Sequence, residues 1–179
     1  VGEPTNPKRL GEMIKIGRRG SLSAKLEIFG TQGHVTYPHL SNNPINTLVA
    51  ICKKLKDFKL DKGNKNFQPS NLEFTSIYVD NKAHNVIPSR AKALFNVRYN
   101  NLHTSASLKK KINSILKKIC QKNNCKFKIK YDVNGDAFLT KPEKTIYMAK
   151  KIIKKITKIN PKFSTTGGTS DARFIRKIS

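Results

Sequence analysis

SLSAKLEIFG, residues 21–30, sets Leu22, Ala24, Leu26 and Ile28 on one side and Ser23, Lys25 and Glu27 on the other. A period of two over this length predicts a half-buried strand. Downstream, TQGHVTYPHLSNNP is punctuated by Gly33 and Pro38 and reads as a loop. Asn43 and Pro44 then supply the cap and first turn of a helix with Ile45, Leu48, Val49, Cys52 and Leu55 on one face. Polar residues 61–70 predict a loop, residues 71–80 a second strand and residues 81–90 a connection. Across residues 91–100, Ala91, Ala93, Phe95, Val97 and Tyr99 alternate with Lys92, Asn96 and Arg98, giving a third strand. Ser105 or Ser107 caps a second helix carrying Leu108, Ile112, Ile115, Leu116 and Ile119, and Phe127, Ile129, Tyr131 and Val133 alternate through a fourth strand.

The order β-α-β-β-α-β predicts an α+β fold of ferredoxin-like type, four antiparallel strands with two helices on one face. Residues 1–20 and 136–179, the latter with a third helix near residues 143–159 and the glycine-rich FSTTGGTSDARFI, read as two arms of a different layer. Residues 21–135 are then a domain inserted between them. The chain starts at Val1 without a methionine and runs at once into motif-rich sequence, as expected of a piece cut from a longer protein.

Hydrophobic residues make up 37% of the 179 positions, enough for a packed core, so wholesale disorder is excluded. The formal net charge of +25 invites a nucleic-acid partner. Its makeup argues otherwise: 29 of the 36 cations are lysine, Asn and Ile are abundant too, and an AT-rich genome enriches all three. Runs such as Lys109-Lys110-Lys111 read as solvated helix faces. No apolar run reaches the ~18–20 residues of a membrane span. Cys52, Cys120 and Cys125 form neither a CxxC pair nor a zinc spacing, which suits a reducing cytoplasm.

Four patches carry reactive side chains on turn chemistry. Glu3 stands between Gly2 and Pro4, as a loop acid or a metal ligand. Lys15, Arg18 and Arg19 in KIGRRGS gather cations beside glycines, fit for a carboxylate or a solvated turn. His34 and His39 are five apart with Pro38 between, unlike the i,i+4 pair of a helical zinc site. A single imidazole donating to a developing oxyanion is the better chemistry. In Thr165–Asp171 the paired Gly167 and Gly168 let backbone approach a ligand, and Thr169 or Ser170 caps a following helix whose N-terminus favours an anion. The lysine and spacing of a phosphate loop are missing.

Taken together and in order, GEPT, KIGRRGS, GTQGHVTYPH, NNPI, FQPSNLEFTSI, HNVIPSRA, FNVRYN, FLTKP and STTGGTSDARFI resemble the second half of the bacterial succinyl-diaminopimelate desuccinylases, co-catalytic di-zinc amidohydrolases of the aminoacylase and carboxypeptidase superfamily. The resemblance spans essentially the whole chain. It implies a catalytic α/β domain and an inserted lid that pairs a homodimer. It also implies cleavage of N-succinyl-LL-2,6-diaminopimelate to succinate and LL-2,6-diaminopimelate, in lysine and diaminopimelate biosynthesis. Residue by residue, Glu3 matches a zinc ligand, and His34 matches a lid histidine that enters the partner subunit's active site to stabilise the tetrahedral oxyanion. Lys15, Arg18 and Thr169 match holders of a substrate carboxylate, at the succinyl end. Tyr37, Asn85, Arg98 and Gly168 match residues at the diaminopimelate end, Asn85 again supplied across the dimer.

The family's HxD motif, its paired glutamates and its C-terminal ligand histidine have no counterpart here, leaving Glu3 as the one ligand. Two zinc ions, with cobalt as an alternative, are therefore implied for a full-length enzyme, and an inactive, metal-free state is expected of these residues alone. Rival readings are a related N-acyl amino acid deacylase, a pure dimerisation module and an RNA-binding ferredoxin-like module. The last lacks its aromatic RNP1 strand, since the third strand reads AKALFNVRYN.

Overall fold

The computed structural model of the protein describes residues 6–168. In chain order the elements are β1 (Met13–Lys15), β2 (Gly17–Arg18), β3 (Gly20–Phe29), β4 (Gly33–His34), α1 (Pro44–Asp57), β5 (Asn71–Tyr78), β6 (Val86–Ile87), β7 (Arg90–Tyr99), α2 (Ser105–Lys122), β8 (Lys126–Gly135), β9 (Phe138–Leu139), α3 (Lys144–Thr157) and β10 (Lys162–Ser164). The four long strands form one antiparallel sheet in the order β5-β7-β3-β8, which is the ferredoxin-like arrangement expected from the sequence.

One face of this sheet is the core. Leu22, Leu26 and Ile28 of β3 meet Ala91, Phe95, Val97 and Tyr99 of β7, all at most 2% exposed. Leu48, Ile51 and Leu55 of α1 and Leu108, Ile112 and Leu116 of α2 close over them. Each such side chain contributes roughly 1.5–3 kcal/mol by leaving water, so the alternation read from residues 21–30 is the pattern that drives the fold. On the edge strand β8, Phe127, Ile129, Tyr131 and Val133 face the same way but are only partly buried, because no strand flanks them on the outside.

Two local expectations are corrected. Val49 is 61% exposed, while Thr47 is buried in its place. The helix turns positions 44, 47, 48, 51 and 55 inward, and Val49 falls beyond the edge of that stripe. The cap of α2 is Thr104, not Ser105 or Ser107. Its Oγ1 accepts from Ser107 N at 3.1 Å, and Ser107 Oγ accepts from Thr104 N at 3.1 Å.

The short strands tie the flanking segments together. β1 pairs in parallel with β10, β2 pairs antiparallel with β9, and α3 lies beside β10 through a Tyr147–Phe163 edge contact at 5.6 Å. Met148, Ile152 and Ile156 on the outer side of α3 remain 49% to 75% exposed. Among the described residues the parallel β1–β10 sheet has two strands, and this apolar side of α3 stays uncovered. No helix among the described residues is long and apolar enough to cross a membrane.

Candidate functional site

Two groups of polar side chains stand at opposite ends of β3. At its start, the β1–β2 arm runs beside β10, with Ile16 N donating to Ser164 O at 3.0 Å. This register sets Lys15 against a pair of hydroxyls: Lys15 Nζ lies 2.8 Å from Thr166 Oγ1 and 3.4 Å from Ser164 Oγ, which are themselves 2.8 Å apart. Arg18 is 6% exposed, and its Nη1 donates to the Thr166 carbonyl at 2.7 Å. Burial, and then the Arg18 guanidinium, lower the Lys15 pKa from the ordinary lysine value. The two cations are therefore crowded together in a partly desolvated place, where an anion would relieve their repulsion.

Gly167 is required by that crowding. Its φ is +103°, and a Cβ there would stand 2.3 Å from Arg18 Nη1. The next residue, Gly168, opens onto free space, with nothing within 4 Å of where its Cβ would be. Arg98 joins this end of the sheet, as β7 pairs it with Ser21 at the start of β3. Nearby, burial and then the Arg98 charge lower the Arg19 pKa, and Arg19 Nη1 donates to Asn71 Oδ1 at 2.9 Å.

The other end carries His34. The β4–β6 pairing places His34 opposite Val86, and Val35 N donates to Asn85 O at 3.0 Å. Gly30 permits the turn into this hairpin: a Cβ there would lie 1.9 Å from Asn42 O. Thr36 N donates to His34 Nδ1 at 3.2 Å, so a neutral ring carries its proton on Nε2. That nitrogen is exposed and lies 3.3 Å from Asn85 Nδ2. Tyr37, 55% exposed, has its ring centroid 6.4 Å from that of His34. The result is an N–H donor held by its backbone neighbour and presented to solvent.

The structure therefore brings Lys15, Arg18 and the Thr166–Gly168 turn together, with Arg98 at the same end, and brings His34, Tyr37 and Asn85 together. It does not bring the two groups to each other: the ten residues of β3 separate them, roughly 30 Å at about 3.3 Å per residue. Glu3 and Thr169 lie outside the described residues. Among the described residues, no three His, Cys, Asp or Glu side chains lie together as a metal site would require. The donor set of the described residues does not by itself fit a zinc centre.

Residues 16–124 match the family model described as a peptidase dimerisation domain. The chain belongs to that family. Over its full length this dimerisation-domain chain is 63% identical to the succinyl-diaminopimelate desuccinylase of Pelagibacter ubique (strain HTCC1062), covering 47% of that protein. It is 48% identical over 98% of its length to the enzyme of the same name from Rickettsia bellii (strain RML369-C), covering 45% of it. The chain thus spans about half the length of the curated relatives it matches. Among solved structures, aminopeptidase PepT from Bacillus cereus superposes over 93% of the chain and 43% of its own, with a TM-score of 0.77 at 15% identity. A putative aminohydrolase from methicillin-resistant Staphylococcus aureus gives 0.73 at 20% identity, over 91% of the chain and 42% of its own. At such identities these likenesses speak for the fold alone.

Sequence reasoning missed the hydroxyls of Ser164 and Thr166 as partners of Lys15, and a buried knot around Asp61. The serine and threonines were visible in FSTTGG, but only the β1–β10 register shows which of them faces the lysine. Asp61 lay in a stretch read as plain loop.

Proposed function

We propose that the chain is the C-terminal part of a homodimeric, zinc-dependent succinyl-diaminopimelate desuccinylase, which hydrolyses N-succinyl-LL-2,6-diaminopimelate to succinate and LL-2,6-diaminopimelate in the cytoplasm. The observation that carries the reading is the placement of the anion-holding cations and the oxyanion donor at opposite ends of β3. One copy cannot close such a site on itself. Two copies related by a two-fold axis can, because each then offers its His34 end to the other's Arg18 end.

In this reading residues 21–135 are the lid and dimerisation domain, and residues 1–20 and 136–179 are arms belonging to the catalytic domain. The uncovered apolar face of α3 and the two-stranded β1–β10 sheet support the assignment of the arms to a larger layer. The substrate carries three carboxylates, which gives the clustered cations a physical purpose. Lys15, Arg18 and Thr169 hold the succinyl carboxylate. Arg98, Gly168, Tyr37 and Asn85 line the diaminopimelate end, with Tyr37 and Asn85 arriving from the partner together with His34. His34 Nε2–H donates to the oxyanion that develops on the succinyl carbonyl. The two zinc ions belong to the whole enzyme, with Glu3 as a ligand to one of them.

The test is succinate release. The full-length protein is expected to release one succinate per N-succinyl-LL-2,6-diaminopimelate consumed, and the purified 179-residue chain none. A full-length protein that leaves this substrate intact while hydrolysing other N-acyl amino acids would make it a related deacylase. Turnover by the isolated chain would contradict the assignment of its arms.

A further inference from the structure

The segment between α1 and β5 leads into the FQPSN motif that none of the roles above uses, and a network of hydrogen bonds holds it on both sides. Asp61 lies at its centre with only 7% of its side chain exposed. Its Oδ1 accepts from Gly63 N at 2.6 Å and Asn100 Nδ2 at 2.7 Å, and its Oδ2 accepts from His103 Nε2 at 3.1 Å. Ser70 N bridges both oxygens at 3.2 and 3.3 Å. Burial alone would raise the Asp61 pKa, but the bonds from Ser70, Gly63 and Asn100 outweigh it and hold the group below the ordinary aspartate value, hence ionised. Asn100, fully buried at the end of β7, also donates through its backbone N to Ser70 Oγ at 3.0 Å. The inner side of the loop is thus bolted to the end of the sheet and the turn into α2.

The outer side of the same loop is bolted to the arms. Thr165 is 5% exposed, and its Oγ1 donates to the carbonyl of Asn66. Arg19 Nη1 donates to the carbonyl of Pro69 at 3.4 Å as well as to Asn71. Thr165 sits between Ser164 and Thr166, the two hydroxyls against Lys15, and Thr166 is the residue whose carbonyl holds Arg18. Any rotation of the lid sheet relative to the arms must therefore break bonds on one side of this loop.

We propose that residues 61–71 are a strut that fixes the angle between the lid sheet and the arms, and that Asp61 and Thr165 are positioning residues for the carboxylate site of Lys15 and Arg18. The strut holds the Ser164–Thr166 turn, and with it the hydroxyls and carbonyl that orient Lys15 and Arg18. It rests on the desuccinylase reading, because the carboxylate in question is the succinyl one.

The experiment uses the full-length enzyme with two substrates, N-succinyl- and N-acetyl-LL-2,6-diaminopimelate; the second lacks the carboxylate that Lys15 and Arg18 would hold. Thr165→Val keeps the shape of the side chain and removes one buried donor, and is expected to raise KM for the succinyl substrate about tenfold. KM for the acetyl substrate and kcat for both should stay within about twofold, and Thr165→Ser, which keeps the hydroxyl, should restore the succinyl KM. Asp61→Asn, if it folds, should reproduce the same split. Equal loss on both substrates would assign Thr165 a merely structural role and overturn the proposal, as would an unchanged succinyl KM in Thr165→Val. A wild-type enzyme that turns over neither substrate would instead refute the desuccinylase reading itself.

Discussion

In the full-length protein, His34→Ala lowers kcat by roughly 10²–10³ while KM and bound metal stay near the wild-type values. The size follows from what is lost. His34 Nε2–H is a single donor, fixed by the bond from Thr36 N to Nδ1 and carried by a hairpin that β6 braces. Under the proposed function its target is charge that exists only as the tetrahedral intermediate forms, so removing it is expected to weaken the transition state and leave substrate binding largely intact. Steady-state kinetics with metal analysis check this. Unchanged turnover would remove His34 from the mechanism, and loss of metal would make its role structural.

Arg18→Ala acts on the other side of the ratio, raising KM for the succinyl substrate roughly 10–100-fold, the worth of a charged hydrogen-bonded contact. The guanidinium is buried and aimed by the Thr166 carbonyl, so it is already in place before substrate arrives. Arg18→Lys keeps the charge but loses the planar fork, and should recover only part of the affinity. Competition by free succinate separates this from a folding defect: the wild type should be inhibited and Arg18→Ala should escape inhibition. Equal inhibition of both would place the succinyl carboxylate elsewhere.

The fold was legible because its signal is local. Four alternating strands and two amphipathic helices are written into residues 21–133 as periods of two and 3.6, and the core built from Leu22, Leu26, Phe95 and Leu116 follows them. The short ladders were not legible. β1, β2, β9 and β10 are two or three residues long, and their pairing across more than a hundred residues depends on packing that no window of sequence contains. The same holds within the site. KIGRRGS announced cations, but that Lys15 faces Ser164 and Thr166, or that Gly167 must yield space to Arg18, depends on the parallel β1–β10 register. Asp61 escaped notice because its partners His103 and Asn100 are some forty positions away in the chain. His34 could be singled out from one imidazole on a glycine- and proline-punctuated loop, whereas its place on the β4–β6 hairpin beside Asn85 depends on a pairing some fifty residues apart.

The central claim is that each active site takes its cations from one subunit and its imidazole from the other. Mixing full-length Arg18→Ala and His34→Ala subunits after gentle dissociation tests it directly. At substrate well below KM each parent should keep no more than about a tenth of wild-type activity. A random mixture should recover about a quarter of wild-type activity, because half of the dimers are hybrids and each hybrid rebuilds one of its two sites. A mixture no more active than its parents, in the presence of demonstrated hybrid dimers, would contradict the account.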